Sequence, residues 1–382
     1  MKFLHTADWH VGKKLNGFDL LAEQHDAFLK INQLAKDYKV DAVVVAGDLY
    51  DRSVPSEEAV EELNKDLIQM NLKEGWPLLA VSGNHDSAVR LATGGDWFKA
   101  TNFFMHTTVA QAIEEPVTLG DTQFFLLPFF GLQEVRNYFG DPEIRDLKTA
   151  MARIVTKMEE EFDPDRAHVL VAHVLVAHFF AAGSSHTDSE TQTEVGGLDA
   201  VPVDLMAPFD YVALGHLHNK NALQAPRVKY AGSPLKFSAS EVNLDKGVWI
   251  VDTQPFNLQW VPLEPLHDLV KLTGSFDELA TVEYASHYQE DDFFVIELTD
   301  TAPIPDLMNK LRHYYPKIIA LSRVNKAADQ SDLAAPAQDL ENKDPLALLS
   351  DFYHQVTGEE LSDNQRQWAK DALLAAQKEE EG

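Results

Sequence analysis

The 382-residue sequence predicts a layered α/β domain, a small α+β domain after it, and a helical C-terminal tail. Short apolar runs alternate with amphipathic helical patterns over the first two-thirds of the chain, and several runs are continuously apolar. Such runs are typical of strands that are buried on both faces of a sheet. After about Pro265 the pattern changes to strand, helix and strand, which favours a separate α+β module.

The large domain is predicted to contain eight strands and two clear helices. Ser56, followed by Glu57 and Glu58, is a typical helix start. The predicted helices are Leu20–Asp37 and Ser56–Asn71, and the predicted strands are Phe3–Ala7, Ala42–Ala46, Leu78–Ser82, Gln123–Pro128, His168–Ala177, Tyr211–Leu214, Gly247–Asp252 and Leu258–Val261.

The last third predicts the strand Phe293–Leu298, the helix Asp306–Tyr315 and the strand Lys317–Leu321. Two helical patterns, divided at Thr357–Gly358, follow a stretch rich in Ala, Asp and Gln. We therefore predict domains over residues 1–265 and 266–324, a linker over 325–344 and a helical tail over 345–382. The tail carries apolar stripes that need a cover, either a partner protein or the chain itself.

The composition excludes several classes of function. The chain has 61 acidic and 32 basic residues and a net charge of -29, which argues against a broad basic surface for nucleic acid. It does not exclude chemistry on phosphates, because bound metal ions bring their own positive charge. The absence of cysteine excludes disulfides and thiolate catalysis and favours a reducing cytoplasm. We expect no targeting or membrane segment, since the first four residues lead directly to Asp8 and His10.

Five polar clusters follow predicted strands, and the carboxyl ends of parallel strands meet at one crevice of an α/β sheet. Their imidazole, carboxylate and amide groups suit manganese, iron or zinc better than calcium. A carboxylate such as Asp48 can bridge two cations about 3.5–4 Å apart, a spacing that promotes phosphoryl displacement. The clusters are Asp8–His10, Gly47–Asp51, Gly83–Asp86, His178 and Gly215–His218.

One histidine in this set is ambiguous. The sequence Ala-His-Val-Leu-Val occurs twice within residues 167–176, so both His173 and His178 follow apolar runs. An odd separation places them on opposite faces of a continuous strand. We favour His178 as the ligand, because it precedes a polar loop, and interpret His173 as a buried, hydrogen-bonded imidazole within the strand.

The ordered set of clusters resembles the calcineurin-like metallophosphoesterase superfamily. Within this superfamily, six segments are similar to those of SbcD-type nuclease subunits: KFLHTADWHVGK, AGDLYDRSVP, SGNHDS, AHFFAAG…DSE, DYVALGHLH and YAGSPLKFS. The resemblance is dense to about Pro265. It implies a β-sandwich flanked by helices, with a small α+β capping domain and a helical tail.

The resemblance also implies roles for individual residues. His85 would act on the substrate and protonate the leaving 3′ oxygen, and Asp51 would orient His85 or structure the following loop. The expected cofactors are two Mn²⁺ ions, with Mg²⁺ as the alternative. The first ion would be held by Asp8, His10, Asp48 and His218, and the second by Asp48, Asn84, His178 and His216.

The function implied is that of a DNA nuclease subunit working with an SbcC-type coiled-coil ATPase, as a homodimer within a heterotetramer. Its activities would be an ATP-dependent 3′–5′ double-strand exonuclease and a single-strand endonuclease that opens hairpins, in DNA recombination, replication and repair. One alternative is a phosphoesterase for a small nucleotide or a phosphoprotein, to which the extra module and tail are unnecessary. Another is a docking scaffold for an ATPase, which the seven filled ligand positions disfavour.

Overall fold

A computed structural model describes residues 1–174, 176–177, 200–324, 344–357 and 360–380, and gives only the backbone at 176–177, 352, 355–357 and 374–380. The strands are β1 (Lys2–Thr6), β2 (Lys14–Leu15), β3 (Phe18–Asp19), β4 (Ala42–Val45), β5 (Leu78–Val81), β6 (Phe103–His106), β7 (Val117–Leu119), β8 (Thr122–Leu127), β9 (Ala167–His173), β10 (Val176–Ala177), β11 (Val201–Pro202), β12 (Tyr211–Gly215), β13 (Val228–Tyr230), β14 (Gly247–Thr253), β15 (Phe256–Pro262), β16 (Leu269–Gly274), β17 (Phe293–Leu298) and β18 (Lys317–Arg323).

The helices agree with the predicted pattern, and Ser56 caps the second helix by accepting a hydrogen bond from the Ala59 amide. That helix continues directly into a π-helical turn, Ile68–Lys73. The helices are α1 (Leu21–Asp37), α2 (Glu57–Leu67), α3 (Ala88–Leu91), α4 (Gly95–Lys99), α5 (Val109–Glu114), α6 (Leu132–Phe139), α7 (Leu147–Glu159), α8 (Phe276–Leu279), α9 (Val282–Ala285), α10 (Leu307–Arg312), α11 (Pro345–Thr357) and α12 (Asp363–Glu380).

Two large sheets form the centre of the first part of the chain. The first has the strand order β15-β14-β1-β4-β5-β6, and its neighbours from β1 to β6 are parallel. The second has the order β13-β12-β9-β8-β7 and is parallel from β13 to β8. Continuously apolar strands such as β4 and β5 are buried over their whole length, as expected for sheets covered on both faces.

Three apolar clusters divide the sandwich into layers. One lies between the sheets and includes Phe3 and Val44 of the first sheet and Phe124 and Val171 of the second. The second packs α1 and α2 against the outer face of the first sheet. The third packs α5 and α7 against the outer face of the second sheet. The predicted β-sandwich flanked by helices is therefore confirmed.

The chain divides into two compact units that are not consecutive in sequence. One unit contains residues 1–271, 288–295 and 315–320, and the other contains 272–287, 296–314 and 321–382. Strands β16, β17 and β18 form a third sheet in that order. The domain boundaries drawn from composition stay a prediction, and residues 325–343 of the predicted linker lie outside the described residues.

The tail helices α11 and α12 pack against each other within the second unit. The Gln365 side-chain amide donates a hydrogen bond to the Tyr353 hydroxyl, and Leu361 and Ala369 are buried. Leu349 and Trp368 remain exposed, Trp368 by 69 %. Among the described helices, none has the length and apolar character needed to cross a membrane.

Candidate metal centre

Five strands of the two large sheets end at one place, and the polar clusters predicted from the sequence follow them. Strands β1, β4 and β5 of the first sheet lead to Asp8, Asp48 and Asn84. Strand β9 of the second sheet ends at His173, and β12 leads to His216. Because these strands are parallel within each sheet, their carboxyl ends bring side chains from both sheets into one crevice.

The first group of donors comprises Asp8, His10 and His218, all of which are buried, and one ligand atom of each lies within 4.8 Å of the others. The Nε2 atoms of His10 and His218 are 3.1 Å apart. Burial raises the pKa of Asp8 to about 7 and lowers the pKa of His10 well below its ordinary value. Nδ1 of His10, on the other side of the ring, is 3.7 Å from Asp51 Oδ1 and makes no hydrogen bond to the described residues. Two imidazole nitrogens as close as the Nε2 pair can both point lone pairs at one cation.

The second group is formed by Asp48, Asn84, His173 and His216. His173 Nε2 lies 3.3 Å from Asp48 Oδ2 and 2.9 Å from Asn84 Oδ1, and His216 Nδ1 lies 3.0 Å from the same Asn84 oxygen. Asp48 Oδ2 is also 3.6 Å from His10 Nε2. The Asp48 carboxylate therefore borders both groups, the position that a bridging ligand requires.

Of the two histidines that the sequence left as alternatives, the structure describes only His173. His178 lies outside the described residues, so its role as a ligand stays a prediction. His173 is buried and hydrogen-bonded, as interpreted, but it ends β9 instead of lying inside a longer strand. The chain leaves the second sheet there, so the predicted strand His168–Ala177 becomes β9 and the separate β10. His173 thereby reaches Asp48 and Asn84.

Charge complementarity holds the second group together. Burial alone would raise the pKa of Asp48, but the positive charge and hydrogen bond of His173 hold it well below its ordinary value. Burial alone would likewise lower the pKa of His173, and Asp48 instead raises it to about 9. These two shifts of the pKa favour a negative Asp48 beside a positive His173, and a bound cation would take the place of the His173 proton.

The loops are fixed to one another by main-chain contacts. The Asp8 amide donates to the Gly47 carbonyl, and the His10 amide donates to the Asp48 carbonyl. The Asp86 carboxylate accepts hydrogen bonds from the amides of Leu49, Tyr50 and Gly83. Asp86 thus ties the loop after β4 to the loop after β5, a role that sequence analysis did not assign to it.

Four of the candidate ligands have a left-handed backbone: Asp8 (φ 53°), His10 (φ 46°), Asp48 (φ 50°) and His216 (φ 99°). Residues with a side chain seldom adopt this conformation, and its cost is concentrated at functional sites. Position 83 requires glycine for a steric reason, because a Cβ there would overlap the carboxylate and the amide of Asp48. The main chain approaches the bridging position too closely for any side chain.

His85 and Asp51 are in contact. The Nδ1 atom of His85 lies 2.8 Å from the backbone carbonyl of Asp51, to which Nδ1–H donates. The Asp51 carboxylate instead accepts from Lys13 Nζ at 2.8 Å. The backbone carbonyl of Asp51 therefore orients the His85 ring, while an Asp51 carboxylate oxygen lies within 4.8 Å of a His85 ring nitrogen. A role of the Asp51 carboxylate in orienting His85 stays a prediction. The His85 amide also donates to Asp48 Oδ1 at 2.9 Å.

A buried network behind His218 was missed by the sequence analysis. His218 Nδ1 lies 3.3 Å from Glu241 Oε1, and Lys246 Nζ lies 2.5 Å from Glu241 Oε2. Lys246 also donates to Ser233 Oγ and to the His218 carbonyl. Burial alone would raise the pKa of Glu241, but Lys246 and His218 hold it well below its ordinary value. A carboxylate behind a ligand histidine fixes its ring and its tautomer.

Comparison with known proteins identifies the family. The calcineurin-like phosphoesterase model matches residues 1–220, and the SbcD_C model, described as the type 5 capsule protein repressor C-terminal domain, matches residues 265–357. A Staphylococcus epidermidis protein, named as the SbcD subunit of the nuclease SbcCD, is 34 % identical over 376 residues, or 98 % of each chain. The chain belongs to the SbcD family. A Staphylococcus saprophyticus protein of the same name is 31 % identical over 368 residues, or 96 % of each chain.

Among solved structures, a dimetal phosphatase from Danio rerio aligns over 70 % of this SbcD-family chain and 98 % of its own. The identity is 11 % and the TM-score 0.39, which is too low to support an argument. The calcineurin-like phosphoesterase domain implies divalent metal ions, and the residues fit them. The donor set of imidazole, carboxylate and amide is one that such ions accept, and the Nε2 atoms of the buried His10 and His218 rings lie 3.1 Å apart beside Asp48.

Proposed function

We propose that this chain is the nuclease subunit of an SbcCD-type complex and that it hydrolyses DNA phosphodiester bonds with two divalent ions, Mn²⁺ being the expected ion. The observation that carries the proposal is the convergence of two donor groups that share Asp48. Full-length relatives that are named nuclease subunits support the choice of DNA as substrate.

In this proposal Asp8, His10, Asp48 and His218 hold the first ion, and Asp48, Asn84, His173 and His216 hold the second. His173 replaces His178 in the second set, because it lies within 3.3 Å of Asp48. When bound, the ions supply the positive charge that stabilises the phosphate in the transition state and acidifies a water. Asp48 belongs to both ligand sets and so fixes their separation, and Glu241 holds the His218 ring in place.

His85 is proposed to act on the substrate and not on the metals. The Asp51 carbonyl accepts its Nδ1 proton, so the ring is oriented with Nε2 as the atom that gives a proton to the leaving 3′ oxygen. Imidazole suits this role because its ordinary pKa lies near the working pH. The proposed products are a 3′ hydroxyl and a 5′ phosphate, with exonuclease and endonuclease activity on the same site.

The charge of -29 is the observation that favours a second candidate, a phosphoesterase for a small nucleotide. The two candidates differ in a simple assay of the purified chain with Mn²⁺ and no partner. We expect nicking of circular single-stranded DNA, its loss in Asp48→Asn, and its retention in Glu143→Gln, an exposed carboxylate changed in the same way. Hydrolysis of a cyclic nucleotide without nicking of DNA would favour the small substrate instead. Inactivity on both would favour the scaffold.

The tail is proposed to bind an SbcC-type ATPase through the exposed side chains of Leu349 and Trp368. Burial of apolar area is favourable by roughly 25 cal/mol per Å². Deletion of residues 345–382 should abolish co-purification with the ATPase and leave partner-free nuclease activity intact, since no proposed ligand lies there. The double variant Leu349→Ala, Trp368→Ala should weaken the complex, whereas Gln367→Ala should not. Full binding by the deletion variant would contradict the docking role.

A homodimer within a heterotetramer is also part of the proposal. Apolar side chains of α2 and its π-helical extension, Val60, Ile68 and Leu72, are exposed by 43 %, 36 % and 59 %. Val60 and Ile68 are eight residues apart and Ile68 and Leu72 are four apart, which is typical of residues on one helix face. A second copy of the chain would bury them. Sedimentation of the purified protein, compared with a Val60→Glu, Leu72→Glu variant, tests this, since a monomer in both cases would contradict it.

A further inference from the structure

A second cluster of metal-ligating side chains lies on the outer helices of the first sheet. His25 belongs to α1, and Glu62 and Asp66 belong to α2. One ligand atom of each residue lies within 4.8 Å of the others. His25 Nδ1 is 2.6 Å from Glu62 Oε1 and 3.9 Å from Asp66 Oδ1. The two carboxylates are four residues apart, so they lie on the same helix face.

The Asp66 carboxylate is the buried member of this cluster. The Asp66 side chain is only 5 % exposed, and its Oδ2 atom is buried and makes no hydrogen bond within the part of the chain that the structure describes. Burial raises the pKa of Asp66 to about 8, and the neighbouring Glu62 adds to this, while Lys65 opposes it. Lys65 Nζ lies 3.5 Å from Glu62 and its side chain is largely exposed. A buried carboxylate oxygen that makes no hydrogen bond is costly unless the group is protonated or binds a cation.

The donor set indicates which cation would fit. An imidazole and two carboxylates make a three-residue set, and His25 is about half exposed, so water can complete the coordination from the solvent side. Zinc commonly takes three such ligands and a water, whereas Mg²⁺ and Ca²⁺ prefer oxygen ligands alone. The i, i+4 spacing on α2 with the third ligand from α1 places the ion between two helices.

We propose that His25, Glu62 and Asp66 form a Zn²⁺ site that joins α1 to α2. The site is separate from the metal centre at the strand ends and takes no part in hydrolysis. Both helices pack on the same face of the first sheet. An ion bound across them would hold their outer surfaces together, and because it binds only the folded chain it would stabilise that state.

The test counts zinc in the full-length protein. The chain is equilibrated with Zn²⁺, freed of unbound metal and analysed by elemental mass spectrometry, together with His25→Ala, Asp66→Asn and Glu61→Gln. Glu61 is an exposed carboxylate on the same helix, so Glu61→Gln is the matched control. The metal centre at the strand ends is present in all four proteins, so a difference between them reports only the second site.

We expect the parent and Glu61→Gln to hold one zinc more per chain than His25→Ala and Asp66→Asn. Zinc should also raise the thermal unfolding midpoint of the parent more than that of Asp66→Asn. Asparagine is nearly isosteric with aspartate and removes a buried charge, so this variant should fold. Equal zinc contents in all four proteins would overturn the proposal. Greater stability of Asp66→Asn together with equal zinc would identify Asp66 as a protonated acid and overturn it as well.

Discussion

Replacing Glu241 by glutamine should affect both the stability of the protein and its affinity for metal, through the network behind His218. The change keeps the shape of the side chain but removes a negative charge that lies 2.5 Å from Lys246 Nζ and 3.3 Å from His218 Nδ1. The side chains of Lys246 and Glu241 are 5 % and 0 % exposed. Loss of one partner of a buried ion pair costs about 3–5 kcal/mol, because the remaining charge stays in a medium of low polarity.

The second effect of the change is on the affinity for metal. Loss of a carboxylate behind a ligand histidine lowers metal affinity by roughly 10–100-fold, since the ring is no longer held in one tautomer. Adding Lys246→Met to Glu241→Gln removes the Lys246 ammonium, which has lost its carboxylate partner. We therefore expect the double variant to recover most of the lost stability but none of the lost affinity.

The assays are urea unfolding in the presence of a chelator and calorimetric titration with Mn²⁺. The chelator keeps metal binding out of the stability measurement. Two results would refute the reasoning. One is a Glu241→Gln protein that is as stable as the parent, which would mean that the pair is not effectively buried. The other is a double variant that recovers the affinity, which would mean that the carboxylate does not act on His218.

Three further changes test the metal centre. His85→Ala should lower turnover by roughly 10²–10⁴ and leave calorimetric metal binding unchanged; loss of the metals would contradict a role in chemistry. His173→Ala should weaken binding of one ion and His178→Ala should not, and the reverse pattern would return the ligand role to His178. Gly83→Ala should lose both ions and some stability, because a Cβ there overlaps the shared carboxylate; Gly95→Ala, where a Cβ meets nothing within 4 Å, is the control, and equal behaviour of the two would contradict the steric argument.

The buried strands and the loops that follow them can be predicted from the sequence. Strands buried on both faces are continuously apolar, so β4 and β5 are recognisable in the sequence, and with β4 the loop that carries Asp48. The position where β9 ends was not predictable, because the repeated pentapeptide offers two equivalent apolar runs. The end is set by pairing with β8 and β12, which is not visible in β9 itself.

Contacts between distant segments were also beyond the sequence analysis. Glu241 and Lys246 belong to no motif, and their meeting with His218 depends on how the chain after β13 folds back. The same holds for His25 and Asp66, whose proximity results from the packing of α1 on α2. The contact of the Asp51 carbonyl with His85 is of the same kind, because a main-chain oxygen leaves no mark on the sequence.

The left-handed backbone of Asp8, His10, Asp48 and His216 has a consequence for how this protein could be engineered. Each such residue costs roughly 1–3 kcal/mol relative to a glycine that adopts the same angles freely. Glycine at any of these four positions would relieve this backbone cost, but it would remove a candidate metal ligand and, at Asp48, the buried partner of His173. Stabilising libraries should hold them fixed, because here catalytic competence and folding stability make opposite demands on the same main chain.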